Sequence, residues 1–410
     1  MVESAGGFSS TNIMRWSITR QSRKRLFSLF IGCMLSMFLI FQQLNQPISY
    51  RRTRRDVELD SLIDVIFSTS NLTVVVNYSA VGIQHRNVRP LPDLNQSRLA
   101  NIYQEKYAFK YYQEKLISPN QACPSLPINM SEQVPVYQEH ASLTMLENMG
   151  FNLLPGGKFV PPCKTQQKTA IIIPFRNREV HLSVWLLHLH PFLQKQNIAY
   201  TVFVVNQVAN ETFNKGILMN SGFVEVAKLD KFDCFIFHDV DLLPEDDRIF
   251  YTCDPSGIKH LAYALEEWNY KLLYQSLVGG VVAVTWQDYL RLNGFSNQYF
   301  GWGGEDDDFY VRISQNKLDI IRYPLAISRY TMVQHHRDAG NNVNEDRYRL
   351  LRESITTNMH QRDGLNNLRY TVEGIQKLPL YTQIDISFVS DEVRNAKPST
   401  IKFPYLKDST

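Results

Sequence analysis

Residues 234–247 read CFIFHDVDLLPEDD. The run Cys234-Phe-Ile-Phe237 is apolar without alternation, as in a strand buried on both faces, and polarity returns at His238. Asp239 and Asp241 then stand just past the strand's carboxyl end. Upstream, TAIIIPF at 169–175, TVFVVN at 201–206 and FVEVAKL at 223–229 read as further strands. Between the first two, VHLSVWLLHLHPFLQ at 180–194 spaces its apolar residues as a helix does. Strands alternating with helices predict an α/β domain on a largely parallel sheet. Such sheets bind ligands outside the carboxyl ends of their strands, so Asp239 and Asp241 fall on the functional edge.

Two carboxylates one residue apart can serve a hard divalent cation and a nucleotide diphosphate together. A bare D-x-D is also an ordinary solvated loop, but placement between a buried strand and Leu242-Leu-Pro244 favours the chemical reading. Met332 and His335, with His336 beside them, would alone be packing residues. With Asp241 they offer a carboxylate oxygen, a thioether and an imidazole, a mixture that suits Mn²⁺ better than Mg²⁺ or Ca²⁺. Further along, residues 300–308 read FGWGGEDDD, leading into FYVRI, a helix with Arg312 four residues after Asp308. Glycines on both sides of Trp302 let its ring swing as a lid that excludes water from a sugar site. Acids in a first helical turn complement the macrodipole, and the same dipole is expected to keep a general base ionised. After the first strand, Arg176 and Arg178 of Pro174-Phe-Arg-Asn-Arg178 can meet diphosphate or ribose oxygens, with Phe175 beneath a base. Two arginines in a surface turn would look the same.

Composition allows one large or two ordinary domains. The 410 residues are 44% hydrophobic and 12% aromatic, as in a globular protein, and the net charge of +3 gives no sign of a nucleic-acid partner. The run from Leu26 to Phe41 carries no charge and follows Arg15, Arg20, Arg23, Lys24 and Arg25. That layout predicts a cytoplasmic tail at 1–25, a signal-anchor at 26–41, a lumenal stem at 42–120 and a catalytic domain at 121–410. A cleaved signal peptide has similar flanks, but no small-x-small site follows this long run. The basic cluster Arg51, Arg52, Arg54 and Arg55 runs against the charge rule. Lumenal placement agrees with N-x-S/T sequons at Asn71, Asn77, Asn95, Asn129 and Asn210. Of five cysteines, Cys33 lies in the span; Cys123, Cys163, Cys234 and Cys253 allow three pairings in an oxidising compartment, or four buried thiols.

The motifs PFRNR, FHDVDLLPEDD, NGFSNQYFGWGGEDDDFYVRI, QHHRD and DGLNNLRY…LPLYTQI closely resemble the animal β-1,4-galactosyltransferase family, including its β-1,4-N-acetylgalactosaminyltransferase members, over about residues 120–387. The resemblance implies a GT-A type fold, a Rossmann-like mixed sheet flanked by helices, in a type II Golgi membrane protein. It implies Asp241, Met332 and His335 as Mn²⁺ ligands and Asp306 as the base that deprotonates the acceptor 4-hydroxyl. The donor pocket would comprise Pro174, Phe175, Arg176, Arg178, Phe213, Asp239, Val240, Leu277, Trp302 and Gly304. The acceptor would meet Asp306, Asp307, Arg347, Tyr348 and Leu351. It also implies the pairs Cys123–Cys163 and Cys234–Cys253. One departure falls at Glu267, near which family members often carry a lysine.

The implied reaction is an inverting single displacement, with Trp302 and the segment around 333–353 closing over the donor. Galactosyltransferases of the family place a tyrosine one residue removed from the Gly-Gly that matches Gly279-Gly280; this chain has Leu277 there, with Val278 between. Leucine leaves room at the donor C2 position, so the sequence favours UDP-N-acetylgalactosamine over UDP-galactose, with terminal β-linked N-acetylglucosamine as acceptor. A non-catalytic Golgi lectin or chaperone on the same fold would show loss of the base or metal ligands, and here all are present. An activator protein and a homodimer stay open.

Overall fold

The computed structural model describes residues 133–399 except 209 and 337–339, with short pieces between 91 and 130. The expected tail, anchor, most of the stem, the arginine cluster at 51–55 and the sequons at Asn71, Asn77 and Asn129 lie outside the described residues. Everything described belongs to one compact unit, Asn87–Thr410. Among the described residues no helix is long and apolar enough to cross a membrane.

The strands are β1 (Lys158–Phe159), β2 (Lys168–Phe175), β3 (Ala199–Gln207), β4 (Cys234–His238), β5 (Leu242–Pro244), β6 (Gly257–His260), β7 (Ala264–Leu265), β8 (Val281–Thr285), β9 (Asp319–Ile321), β10 (Arg329–Met332), β11 (Thr371–Lys377) and β12 (Thr382–Ser387). The helices are α1 (Leu143–Glu147), α2 (Glu179–Lys195), α3 (Lys215–Leu229), α4 (Trp286–Arg291), α5 (Glu305–Gln315), α6 (Arg347–Thr357) and α7 (Ser390–Arg394). Nine strands form one sheet in the order β11-β12-β3-β2-β4-β8-β6-β9, with β1 on β3, and β5-β10-β7 form a second.

The centre of the sheet, β12-β3-β2-β4, is parallel, but β8 runs antiparallel to both β4 and β6, and β11 antiparallel to β12. The expected largely parallel sheet is therefore mixed. Side chains of the central strands alternate between two cores. Ile171, Ile173, Val202, Val204 and Ile236 face α2, while Ala170, Ile172, Phe203, Val205, Phe235 and Phe237 face α3. Helices on both faces explain why these strands read as continuous apolar runs.

One expected strand is wrong. FVEVAKL at 223–229 is the second half of α3, a 15-residue helix whose Asn214 cap accepts a hydrogen bond from the Ile217 amide. A seven-residue apolar run does not distinguish a strand from a helix buried against a sheet. Only the cap and the preceding Lys215–Gly222 turns reveal the helix.

Both disulfides implied by the family resemblance are present, Cys123–Cys163 and Cys234–Cys253, with Cα separations of 5.0 and 5.4 Å. Asn95 and Asn210 are exposed, the latter in the bend that follows β3.

Candidate active site

Past β4, the chain turns through Asp239, Val240 and Asp241 into β5. The turn rests on a buried hydrogen-bond chain. Trp185 Nε1 donates to His238 Nδ1 (3.1 Å), His238 Nε2 meets Tyr251 Oη (2.8 Å), and Tyr251 Oη meets Tyr330 Oη (3.2 Å). From above, the Asp239 amide donates to Gly280 O (2.9 Å) and Val333 N donates to Asp241 O (2.7 Å). Antiparallel pairing of β5 with β10 sets Met332 opposite Leu242. Asp241 Oδ2 lies 2.8 Å from His335 Nε2. Asp241, Met332 and His335 thus come together from two segments. Burial opposes ionisation of Asp241, but the bond and charge of His335 hold its carboxyl below the ordinary range. Among the described residues no three His, Cys, Asp or Glu side chains form a metal cluster; the third donor of this set is a thioether.

The acidic turn opens α5. Its cap, Gly304, has φ 96°, and Glu305, Asp306, Asp307 and Asp308 follow. Lys215, the first residue of α3, joins this turn to the strand-end carboxylates: its Nζ is 2.9 Å from Asp239 Oδ1, 3.5 Å from Glu305 Oε1 and 3.6 Å from Asp306 Oδ1. Burial pushes the Asp306 carboxyl well above the usual range against the pull of Lys215, and Glu305, Asp239 and Asp307 add to the rise. The expectation that the helix dipole keeps this group ionised is corrected: burial and neighbouring carboxylates outweigh the macrodipole. Burial likewise lifts Asp239 to about 6, with Lys215 opposing. Asp307 Oδ1 accepts from Tyr274 Oη (3.0 Å). Asp308 turns inward to Arg312 (2.6 Å), which also reaches Asp363 (3.3 Å).

Trp302 is 48% exposed. Its backbone is bonded to Asn342 O and Asn344 N, and the neighbouring Gly301 N donates to Phe213 O. Arg347 and Tyr348 begin α6, with the guanidinium 4.4 Å from the Tyr348 ring centre; Leu351 is half-buried one turn on. A Cβ on Gly304 would lie 3.0 Å from Arg347 Cβ, so α5 and α6 meet at the acidic turn.

On the other side, a cleft of about 670 Å³ is lined by Phe175, Arg176, Asn206, Thr212 and Tyr381 among others. Arg176 Nη1 donates to Glu211 O (2.8 Å) and its guanidinium lies 5.0 Å from the Phe213 ring centre. Pro174 and Phe175 end β2 beside it. Arg178 turns instead to the other segment, donating to His335 Nδ1 (2.8 Å) and His336 O (3.3 Å). Leu277 is 8% exposed, and its carbonyl accepts from Arg322 Nη2 (2.8 Å). Glu267 lies in the 3-10 turn Glu266–Trp268.

Residues 123–254 match the N-terminal region of glycosyl transferase group 7, and residues 259–336 match the N-terminal domain of galactosyltransferase. Beta-1,4-galactosyltransferase 4 of Cricetulus griseus is 41% identical over 268 residues, which are 65% of this chain and 77% of that protein. The chain belongs to the β-1,4-galactosyltransferase family. Beta-1,4-galactosyltransferase 3 of Homo sapiens is 43% identical over 251 residues, 61% of this chain and 63% of that protein, so the chain spans a little under two thirds of that relative. Among solved structures, a mutant of Drosophila β-1,4-galactosyltransferase 7 with manganese, UDP-Gal and xylobiose is 28% identical, covering 54% of this chain and 94% of that one at a TM-score of 0.47.

Within this β-1,4-galactosyltransferase family member, sequence reasoning missed three residues of the site. Lys215 stands two positions after Phe213, but nothing in its spacing signals that it meets both acidic motifs. His238 reads as the polar end of a strand. His181 reads as one helical residue among many, yet its ring lies edge-on to His335 with centroids 5.6 Å apart. Burial and the nearby Arg178 pull its pKa down to about 4.

Proposed function

We propose that the chain is a Mn²⁺-dependent glycosyltransferase of the secretory pathway that moves a sugar from a uridine diphosphate donor to the 4-hydroxyl of a terminal N-acetylglucosamine, with inversion. One observation carries this reading. The Gly279-Gly280 loop touches both motifs: Gly280 O accepts from the Asp239 amide, and Gly279 abuts the Asp306 carboxylate. The strand-end turn, with its cation-type donor Asp241, and the base-type carboxylate are therefore tied to the same two-residue loop.

The residues fit Mn²⁺. A carboxylate already within 2.8 Å of an imidazole, with a thioether on the adjoining strand, is a mixed hard and soft donor set. When bound, Mn²⁺ supplies Lewis-acid neutralisation of the leaving diphosphate. Asp306 takes the acceptor proton, its raised pKa making it a stronger base than an exposed carboxylate while Lys215 retains an ionised fraction. Asp307, Arg347, Tyr348 and Leu351 hold the acceptor. Phe175, Arg176, Arg178, Phe213, Asp239 and Val240 hold the nucleotide, and Trp302 excludes water above Gly304. A type II anchor at 26–41 and a stem to residue 120 place this domain in the Golgi lumen.

The galactosyltransferase names of the relatives support UDP-galactose as donor. A second reading, UDP-N-acetylgalactosamine, is favoured by Leu277, which stands where a tyrosine would crowd the donor C2 group. Both donors should be offered to the purified lumenal fragment with an N-acetylglucosaminide, Mn²⁺ or Mg²⁺, alongside Asp306→Asn. Transfer with Mn²⁺ and a fall of about 10²–10⁴ in the variant are expected. No transfer from either donor would favour a lectin or chaperone role.

A further inference from the structure

His181 stands in the first turn of α2, directly after the Pro174–Arg178 segment. Its Nε2 is buried and has no hydrogen-bond partner among the described residues. Buried polar atoms are nearly always satisfied, and an exception at a candidate site marks a place where something else binds. The ring contacts the backbone of Gln334 and lies within electrostatic range of Arg178, Asp241 and His335. Its ring meets the His335 ring edge-on at 5.6 Å between centroids, and His335 Nε2 lies 2.8 Å from Asp241 Oδ2.

Resting on the cation reading above, we propose that His181 is a positioning residue of the cation site, its Nε2 accepting a hydrogen bond from a cation-bound water. Mn²⁺ favours about six donors in octahedral arrangement. Asp241, Met332 and His335 would supply only part of such a shell, and water would take a position that neither they nor a donor oxygen fills. Such a water is an enhanced donor and needs a nearby acceptor. Arg178 has only N–H groups and cannot serve; the imidazole lone pair can. Partners of this kind change metal affinity by about 10–100-fold when removed.

Free Mn²⁺ can be counted by its EPR signal while the full chain is titrated in the presence of UDP, so that the readout is independent of turnover. His181→Leu, which fills the space without an acceptor, should weaken Mn²⁺ binding about 10–100-fold. His181→Gln, which returns an acceptor near the Nε2 position, should recover part of the loss. His335→Ala serves as the direct-ligand control. Unchanged affinity in both His181 variants overturns this inference alone. Equal losses in both, matched by equal falls in unfolding temperature, also overturn it by marking a purely structural role. A wild-type chain that takes up no Mn²⁺ overturns the cation reading, and this inference with it.

Discussion

Lys215 Nζ lies 3.6 Å from Asp306 Oδ1, and the same ammonium is 2.9 Å from Asp239 Oδ1. One cation thus stabilises the ionised forms of carboxylates from the strand-end turn and the acidic helix. Its own pKa is well above the ordinary value: burial alone would lower it, but Asp239, Asp306 and Glu305 overcome that. Lys215 therefore stays charged throughout the working range. Because Asp306 must be ionised to accept a proton, activity should rise with pH through its elevated pKa. Lys215→Met removes the main influence holding that pKa down, so the acid limb of the kcat/KM profile should move to higher pH. An unmoved acid limb would show that Asp306 is not the titrating base.

Gly279 is required by space rather than by turn geometry. A Cβ there would stand 2.2 Å from Asp306 Oδ2, far inside contact distance. Gly279→Ala should displace the carboxylate and lower kcat by about 10²-fold, as misplacement by an ångström does. The far-ultraviolet circular dichroism should stay native, since the strain falls on a side chain. Full activity in this variant would mean that the carboxylate moves aside without consequence.

The Cys234–Cys253 bridge begins at the first residue of β4, the strand whose far end carries Asp239 and Asp241. Replacing both cysteines by serine releases a constraint over 19 residues of sequence, worth about 3 kcal/mol in the chain-entropy account. The unfolding temperature should fall by several degrees. Mn²⁺ affinity should fall with it, because β4 also holds the buried His238 chain beneath the turn. Loss of stability with unchanged Mn²⁺ affinity would confine the bridge to a structural role.

Leu277 gives the test of donor choice. Arg322 holds this loop by donating to the carbonyls of Gln275 (3.0 Å) and Leu277 (2.8 Å), contacts that do not involve the Leu277 side chain. If leucine leaves space for an N-acetyl group, Leu277→Tyr should shift the kcat/KM ratio toward UDP-galactose. Pocket volume of this kind is worth about 1–3 kcal/mol, or tens to hundreds of fold. Competition between the two donors at a single acceptor concentration measures the shift directly. An unchanged ratio would remove Leu277 from the specificity argument.

Much of this protein is legible in the one-dimensional pattern, because the information is local. Apolar runs such as 169–175 and 234–237 declare strands, since a chain segment buried on both faces has no polar position to offer. Asp239 and Asp241 declare a functional edge because they interrupt such a run at its carboxyl end. The glycine-flanked Trp302 and the acids after it are equally local. FVEVAKL misled because a short run carries no period, and the helix was decided by Asn214 and by the sheet it covers.

What the tertiary structure decided is how distant groups share a field. Asp306, read from its helix alone, should be ionised; placed in the fold beside Glu305, Asp307 and Asp239 and away from water, its pKa rises. The macrodipole is a local property of the sequence, whereas burial and the approach of Asp239 and Lys215 exist only once α3, β4 and α5 converge. The same holds for His181, ordinary on its helix until the segment after β10 brings His335 against it. Strand and turn propensities are written residue by residue. Electrostatic environments depend on through-space distance, which the chain sets only when it closes on itself.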